Sequence, residues 1–150
     1  MTSDCDLVEF LDAHYRLGSG VSLRWRASPA EERVGFFETY QGRYVLRLYA
    51  GTISPKTRFL AQFLLFLQEH GVEAERIIRS HSGQPVCELP SGENLMVFQF
   101  HAGSPLPTEC QNDYQTWGRY VGRLHRVGQQ FQAHGEWPAT LNLTTRWAMA

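Results

Sequence analysis

The sequence predicts an α+β domain with a five-stranded, mostly antiparallel sheet and one helix inserted after the third strand. Helix-like and strand-like hydrophobic patterns alternate in the order helix, three strands, helix, two strands, linker, helix. Turn signals between successive strand patterns favour hairpins, and hairpins pair neighbouring strands antiparallel. With 150 residues, the chain is expected to form one domain or one lobe of a larger protein.

The predicted elements are, in chain order, a helix at 3–15, strands at 21–27, 34–40 and 43–49, a helix at 54–71, strands at 84–90 and 95–101, and a helix at 112–134. Ser3 is the candidate N-cap of the first helix, and Leu7 and Leu11 follow it at helical spacing. Gln41 and Gly42 separate two strand patterns, which predicts a tight hairpin with Gly42 at a positive φ.

The second helix has clear start and stop signals. Ser54 is its candidate cap, Pro55 suits the first turn, and Gly71 is a typical terminator. Its apolar residues cover a wide face, so we expect mostly buried side chains at Phe59, Phe63, Leu64, Phe66 and Leu67. The last helix follows a linker rich in Gly and Pro, and its apolar residues recur every three or four positions at Tyr114, Trp117, Val121, Leu124, Val127 and Phe131.

Composition excludes several classes of function. The formal net charge of -1 argues against a general binder of nucleic acid or of membrane surfaces, which would be strongly basic. No run approaches the roughly 18 consecutive apolar residues of a membrane span, and the acidic start does not resemble a secretory signal. The cysteines, Cys5, Cys87 and Cys110, are far apart and form no C-x-x-C, which favours free thiols. We therefore expect a cytoplasmic protein.

One strand carries an unexpected charge. The run "GRYVLRLYAG" at 42–51 is mostly apolar, yet it has Arg47 near its middle. Period two places Val45 and Arg47 on one face of this strand, opposite Leu46 and Leu48. That pattern alone is equally typical of an exposed strand face. Lys56 is the only lysine in the chain, so it alone could offer an alternative lysine to Arg47.

Four stretches, "GRYVLRLY", "FLLFLQEHGV", "VFQFHAGSPL" and "WGRYVGRLHRVG", resemble the N-terminal lobe of the aminoglycoside phosphotransferase family in their order and spacing. That family includes choline kinases and type II homoserine kinases and shares the protein-kinase-like fold. The resemblance covers about residues 15–131. It implies a nucleotide lobe at 1–103, followed by a linker and the first helices of an incomplete second lobe at 104–150.

The resemblance also implies an ATP site with magnesium as cofactor. Arg47 matches the strand cation that holds the α- and β-phosphates, and Gln62 matches the helix glutamate that pairs with it. Phe98 matches the gatekeeper of the hinge. The carbonyl of Gln99 would then accept a hydrogen bond from the adenine amino group, and the N–H of His101 would donate to the ring.

Two departures from the family pattern concern this site. Gln62 can hydrogen-bond a guanidinium but brings no charge. The segment that the resemblance places over the phosphates, 26–34, contains no glycine and carries Glu31 and Glu32. Two carboxylates would repel a triphosphate unless a metal ion intervenes.

Catalytic residues are missing. The aspartates are Asp4, Asp6, Asp12 and Asp113, and none follows a histidine as in the catalytic loop H-x-D. We therefore predict the N-terminal part of a kinase for a small-molecule hydroxyl group, inactive alone, with no catalytic or metal-binding residue. The alternative is a non-catalytic nucleotide-binding or protein-interaction module, a truncated pseudokinase. An exposed apolar surface near the C-terminal end would favour self-association.

Overall fold

The computed structural model describes residues 2–26, 32–103 and 111–132, without the side chains of 111–113. Its elements are α1 Asp4–His14, β1 Gly20–Arg26, β2 Glu32–Thr39, β3 Arg43–Tyr49, α2 Pro55–Glu69, β4 Ile77–Ile78, β5 Cys87–Glu88, β6 Asn94–Gln99 and α3 Gln111–Gly128. Ser3 and Ser54 cap the first two helices as expected, since their hydroxyls accept from the backbone N–H groups of Asp6 and Thr57.

The strands form one antiparallel sheet in the order β1-β2-β3-β6-β4, with β5 also paired to β6. This confirms the α+β fold and the antiparallel sheet. The number of strands was wrong by one within the described residues, because Ile77–Ile78 forms a short strand that was not predicted. Two apolar residues between charged neighbours are too short a run for strand periodicity to show. The strand expected at 84–90 is likewise only Cys87–Glu88.

The two faces of the sheet have separate hydrophobic cores. The face towards α1 buries Leu7, Leu11, Tyr15, Leu17, Phe37, Leu46, Leu48, Leu89, Leu95 and Val97. The face towards α2 buries Ala61, Leu64, Ile77, Met96 and Phe98, with Val45 and Tyr49 packed against them. Both faces of β3 and β6 are thus covered, which explains why these two central strands are mostly apolar.

The buried face of α2 is narrower than the sequence suggested. Leu64 and Leu67 are buried as expected, together with Ala61. Phe59, Phe63 and Phe66 are intermediate between buried and exposed, so they are mostly covered as expected but less completely than Leu64 and Leu67. All three turn away from the sheet and converge on Phe131, with centroid distances of 5.4, 5.2 and 5.2 Å.

The connection between β2 and β3 is closed by a side chain. The hydroxyl of Thr39 donates to the carbonyl of Leu17 at 2.6 Å, and it accepts from the N–H groups of Gln41 and Gly42 at 3.1 and 3.2 Å. Gly42 does not have the positive φ expected for a two-residue hairpin. The reason is that the connection has three residues, Tyr40 to Gly42, and the buried Thr39 supplies the hydrogen bonds.

α3 packs against the end of α2 and the loop that follows it. Arg123 Nη2 donates to the carbonyl of Gly71 at 2.9 Å, and the Tyr120 hydroxyl donates to the carbonyl of Glu73. The helix ends at Gly128, so the predicted end at residue 134 was too late: residues 129–132 are described and are not helical, while 133 and 134 lie outside the described residues. Its predicted apolar stripe is only partly covered, since Tyr114 and Trp117 are 61% and 52% exposed. Across the described ranges, no helix is long and apolar enough to cross a bilayer.

Candidate functional site

Arg47 lies on the face of the sheet that α2 covers. Across the strands it is paired with Val34 of β2 and Met96 of β6, and Val45 shares its face. Its side chain is 24% exposed. Arg47 therefore does not lie on an open solvent face, which was the other interpretation of the strand pattern.

Three groups surround the Arg47 guanidinium. Nη2 donates to Glu75 Oε1 at 2.6 Å, and Nε lies 3.4 Å from Glu32 Oε1. The guanidinium carbon lies 4.6 Å from the centre of the Phe98 ring. Two carboxylates and an aromatic face thus hold the cation, and guanidinium groups are suited to such planar contacts.

Glu75 supplies the charge that Gln62 lacks. Gln62 is half-buried in α2, and within the described residues its side chain makes no hydrogen bond with Arg47. Sequence reasoning missed Glu75, which lies in the segment between α2 and β4. That segment has no periodicity from which a partner across the fold could be inferred.

Glu32, the first residue of β2, also affects Tyr49. The Tyr49 hydroxyl donates to Glu32 Oε1 at 3.3 Å. Burial raises the pKa of Tyr49 to about 12, and the nearby Glu32 charge adds to the shift. Residues 27–31 of the segment expected over the phosphates, including Glu31, lie outside the described residues.

The proposed hinge residues are at the end of β6. Phe98 is 2% exposed and belongs to the core below α2. The side chains of Gln99 and His101 are exposed. The Gln99 N–H donates to the carbonyl of Arg76 at 2.9 Å, which fixes the backbone where the chain leaves the sheet.

A concavity of about 360 Å³ lies at the same end of the sheet. Its lining consists of Ser22, Arg24, Phe36, Phe37, Glu38, Arg43, Tyr44 and Phe100. Phe36 and Phe100 meet edge to face with their centroids 6.2 Å apart, and Phe36 pairs across the strands with Val45, two residues before Arg47. This volume falls within the range of about 300–1,000 Å³ that is typical of small-molecule sites.

The described residues offer no ready metal centre. Within the described residues no three His, Cys, Asp or Glu side chains lie close enough together to hold a metal ion. The described part of the site therefore presents an aromatic concavity, a backbone edge and a fixed cation. That combination suits a planar ring with an anionic extension better than it suits a bare metal ion.

Comparisons with known proteins identify the family of the chain. The model of the phosphotransferase enzyme family matches residues 22–150. A homoserine kinase from Methylobacterium radiotolerans is 29% identical over 133 residues, which is 86% of this chain and 40% of the relative. A homoserine kinase from Beijerinckia indica is 27% identical with the same coverage. The chain thus spans about two fifths of the length of these relatives.

Solved structures resemble the fold. An amicoumacin kinase in complex with AMP-PNP, Ca²⁺ and Ami matches with a TM-score of 0.69 at 17% identity, over 98% of this chain and 47% of that one. A spectinomycin phosphotransferase in complex with ADP and its antibiotic matches with a TM-score of 0.67 at 12% identity, over 89% of this chain and 42% of that one. At such identities these matches support the fold only.

Proposed function

Because the chain belongs to the phosphotransferase enzyme family, we propose that it is the nucleotide-binding lobe of an ATP-dependent kinase that acts on a small-molecule hydroxyl group. The observation that carries this proposal is the position of Arg47. It lies on the covered face of the sheet, is held by Glu75, and is separated from the aromatic concavity by only two residues of β3.

ATP would lie along this face of the sheet. The adenine ring would occupy the concavity at Phe36 and Phe100, and its edge would bind the Gln99 carbonyl and the His101 N–H, as the family resemblance implies. The phosphates would extend towards Arg47, whose guanidinium stays charged in a partly covered position and can grip phosphate oxygens with two N–H groups. Adenine recognition would then depend on backbone groups and apolar contact, and the affinity for phosphate would depend on Arg47.

Magnesium is the metal that this reaction class uses. Bound to ATP, it neutralises charge on the phosphates. The described residues do not assemble a set of ligands for it, and no aspartate follows Asp113 in the sequence. We therefore assign no step of the reaction to a metal held by this chain.

The acceptor is proposed as a small molecule with a free hydroxyl group. This class is the one suggested by the names of the relatives, which are homoserine kinases. The chain lacks an H-x-D motif for orienting such a hydroxyl, so we propose that it binds ATP without transferring its phosphate. A non-catalytic nucleotide-binding module is the second candidate. The Glu32 carboxylate beside Arg47 favours it, because a carboxylate in this position repels the phosphates of ATP.

Calorimetry with the purified chain tests the proposal. We expect weak binding of ATP, weaker binding of adenosine, and no release of ADP in the presence of homoserine. Equal affinities for ATP and adenosine would overturn the phosphate site. Turnover of ATP that follows the protein through purification would overturn the proposal that this chain alone is inactive.

A further inference from the structure

We infer that Glu75 positions Arg47 for the nucleotide, while Glu32 occupies the side of Arg47 that the phosphates must take. This inference rests on the proposed function. It assigns opposite roles to two carboxylates that contact the same guanidinium. The family resemblance placed the partner of Arg47 at Gln62 and made no assignment for either glutamate.

The two contacts differ in geometry. Glu75 Oε1 accepts a hydrogen bond from Nη2 at 2.6 Å, which is short, as expected for a charge-assisted hydrogen bond. Glu32 Oε1 is 3.4 Å from Nε, a charge contact with longer spacing. Glu32 Oε1 also accepts from the Tyr49 hydroxyl at 3.3 Å, so it has a second partner when it leaves Arg47. The bond to Glu75 is the one that sets the orientation of the guanidinium.

Glu75 is on a loop, but the loop is anchored on both sides. Val72 is 4% exposed and donates its N–H to the Leu67 carbonyl at 2.9 Å, and Ile77 is 1% exposed in the core. α3 fastens the same segment through the carbonyls of Gly71 and Glu73. The backbone at Glu75 therefore has little freedom, and its carboxylate can act as a fixed point for Arg47.

Glu32 contacts a different donor of the guanidinium, Nε rather than Nη2. It belongs to the segment at 26–34 that the resemblance places over the phosphates, of which residues 27–31 lie outside the described part of the chain. A triphosphate arriving beneath that segment would meet the Glu32 carboxylate first, and two anions at this distance repel each other. Displacing Glu32 from Nε would free that N–H for a phosphate oxygen while Nη2 stays bound to Glu75.

The two proposed roles predict changes in ATP affinity that differ from those expected from net charge alone. In a simple electrostatic field, removing either negative charge strengthens the binding of an anion. If Glu75 positions Arg47, Glu75→Gln should instead weaken ATP binding, because the charge-assisted hydrogen bond that fixes the guanidinium becomes a weaker, neutral one. Glu32→Gln should strengthen it, because a competing anion is removed. The two substitutions change the net charge equally. Opposite changes in ATP affinity would therefore identify a positioning role for Glu75.

The experiment measures dissociation constants for ATP and adenosine by calorimetry on the full chain. We expect Glu75→Gln to weaken ATP binding by about tenfold and Glu32→Gln to strengthen it by about threefold, with adenosine affinity unchanged in both. Glu75→Asp should partly restore the wild-type value. Glu69→Gln is the matched control, since Glu69 accepts from Arg79 at 2.5 Å in an exposed ion pair of the same kind. A second readout without nucleotide is the NMR order parameter of the Arg47 Nε–H bond, which should fall in Glu75→Gln and stay unchanged in the control Glu69→Gln.

Each result has one meaning. If both substitutions strengthen ATP binding, or if Glu75→Gln behaves like Glu69→Gln, Glu75 has no positioning role and the inference is wrong. In that case the proposed nucleotide site still stands, provided that Arg47→Ala weakens ATP binding. If the wild-type chain binds ATP no better than adenosine, the phosphate site itself is wrong, and the inference falls with it.

Discussion

The guanidinium of Arg123 in α3 donates to the carbonyl of Gly71 at 2.9 Å, four residues before the glutamate that holds Arg47. Gly71 has a φ of +65°, which lets the chain turn sharply at the end of α2. The first helix after the linker is therefore attached to the loop that carries Glu75. We expect a change in the position of α3 to affect the proposed nucleotide site through this loop.

Removing this attachment should weaken ATP binding at a distance. Arg123→Ala is expected to weaken ATP binding by about threefold and to leave adenosine binding unchanged, because only the Glu75–Arg47 contact is loosened. Arg119→Ala is the control, since Arg119 is an exposed arginine on the same helix. Calorimetry on the three proteins measures the effect. Equal ATP affinities in all of them would show that α3 does not support the site.

Arg47 itself should provide much of the affinity for phosphate. A charge-assisted hydrogen bond is worth about 1.5–3 kcal/mol, so Arg47→Ala should weaken ATP binding by roughly one to two orders of magnitude. Arg79→Ala removes a more exposed arginine that is paired with one carboxylate, Glu69, and should have no effect. Ligand-detected NMR compares the three proteins. If the Arg47→Ala variant binds ATP as the wild type does, Arg47 is only a structural residue of β3.

Stability should depend on Leu64 more than on Phe63. Leu64 lies on the buried face of α2 and is 7% exposed. Leu64→Ala should therefore cost about 2–5 kcal/mol of unfolding free energy. Phe63 is half-buried against Phe131, so Phe63→Ala should cost only about 1–2 kcal/mol. Urea unfolding of both variants measures the difference. A larger cost for Phe63 would mean that its ring is more deeply buried than described.

The fold should lose stability at alkaline pH. The pKa of Tyr49 is raised by burial to about 12 in the folded chain, against an ordinary value near 10. Between these values the unfolded chain binds fewer protons, so the stabilisation is complete below pH 10 and is lost as the pH rises towards 12. Tyr49→Phe should remove part of this loss of stability between pH 10 and 12. The remaining decline is expected from Tyr15, whose pKa burial also raises.

Urea unfolding of wild type and Tyr49→Phe at a series of pH values measures this dependence. Glu32→Gln should lower the pKa of Tyr49 only partway towards 10, because burial is the larger cause of the shift. The absorbance of ionised tyrosine reports that pKa. Identical alkaline profiles for wild type and Tyr49→Phe would contradict the assignment.

The exposed rings of α3 should promote self-association. Tyr114 and Trp117 form an apolar surface that is 61% and 52% exposed at these two residues. The wild-type chain is expected to show concentration-dependent sedimentation, and Trp117→Ser should reduce it. Val21→Ser, which removes a similarly exposed apolar side chain from β1, is the control. Monomeric sedimentation of the wild type at all concentrations would contradict this expectation.

The sequence by itself determined the order of the main elements. Ser54, Pro55 and Gly71 define α2 because capping and termination depend on a few neighbouring residues. The alternation of β3 correctly put Arg47 on the opposite face from Leu46 and Leu48. These are local properties of the chain, and local physics is sufficient to predict them.

Only the tertiary structure decided which groups meet at Arg47. Glu32 and Glu75 are 15 and 28 positions away from it, and only the pairing of β2 with β3 and the loop after α2 bring them to one guanidinium. The same holds for the rings of α2, which the pattern predicted as mostly buried without showing that they pack on Phe131. A periodic pattern shows which face of a helix is apolar. It does not show what covers that face, because the covering group comes from a distant part of the chain.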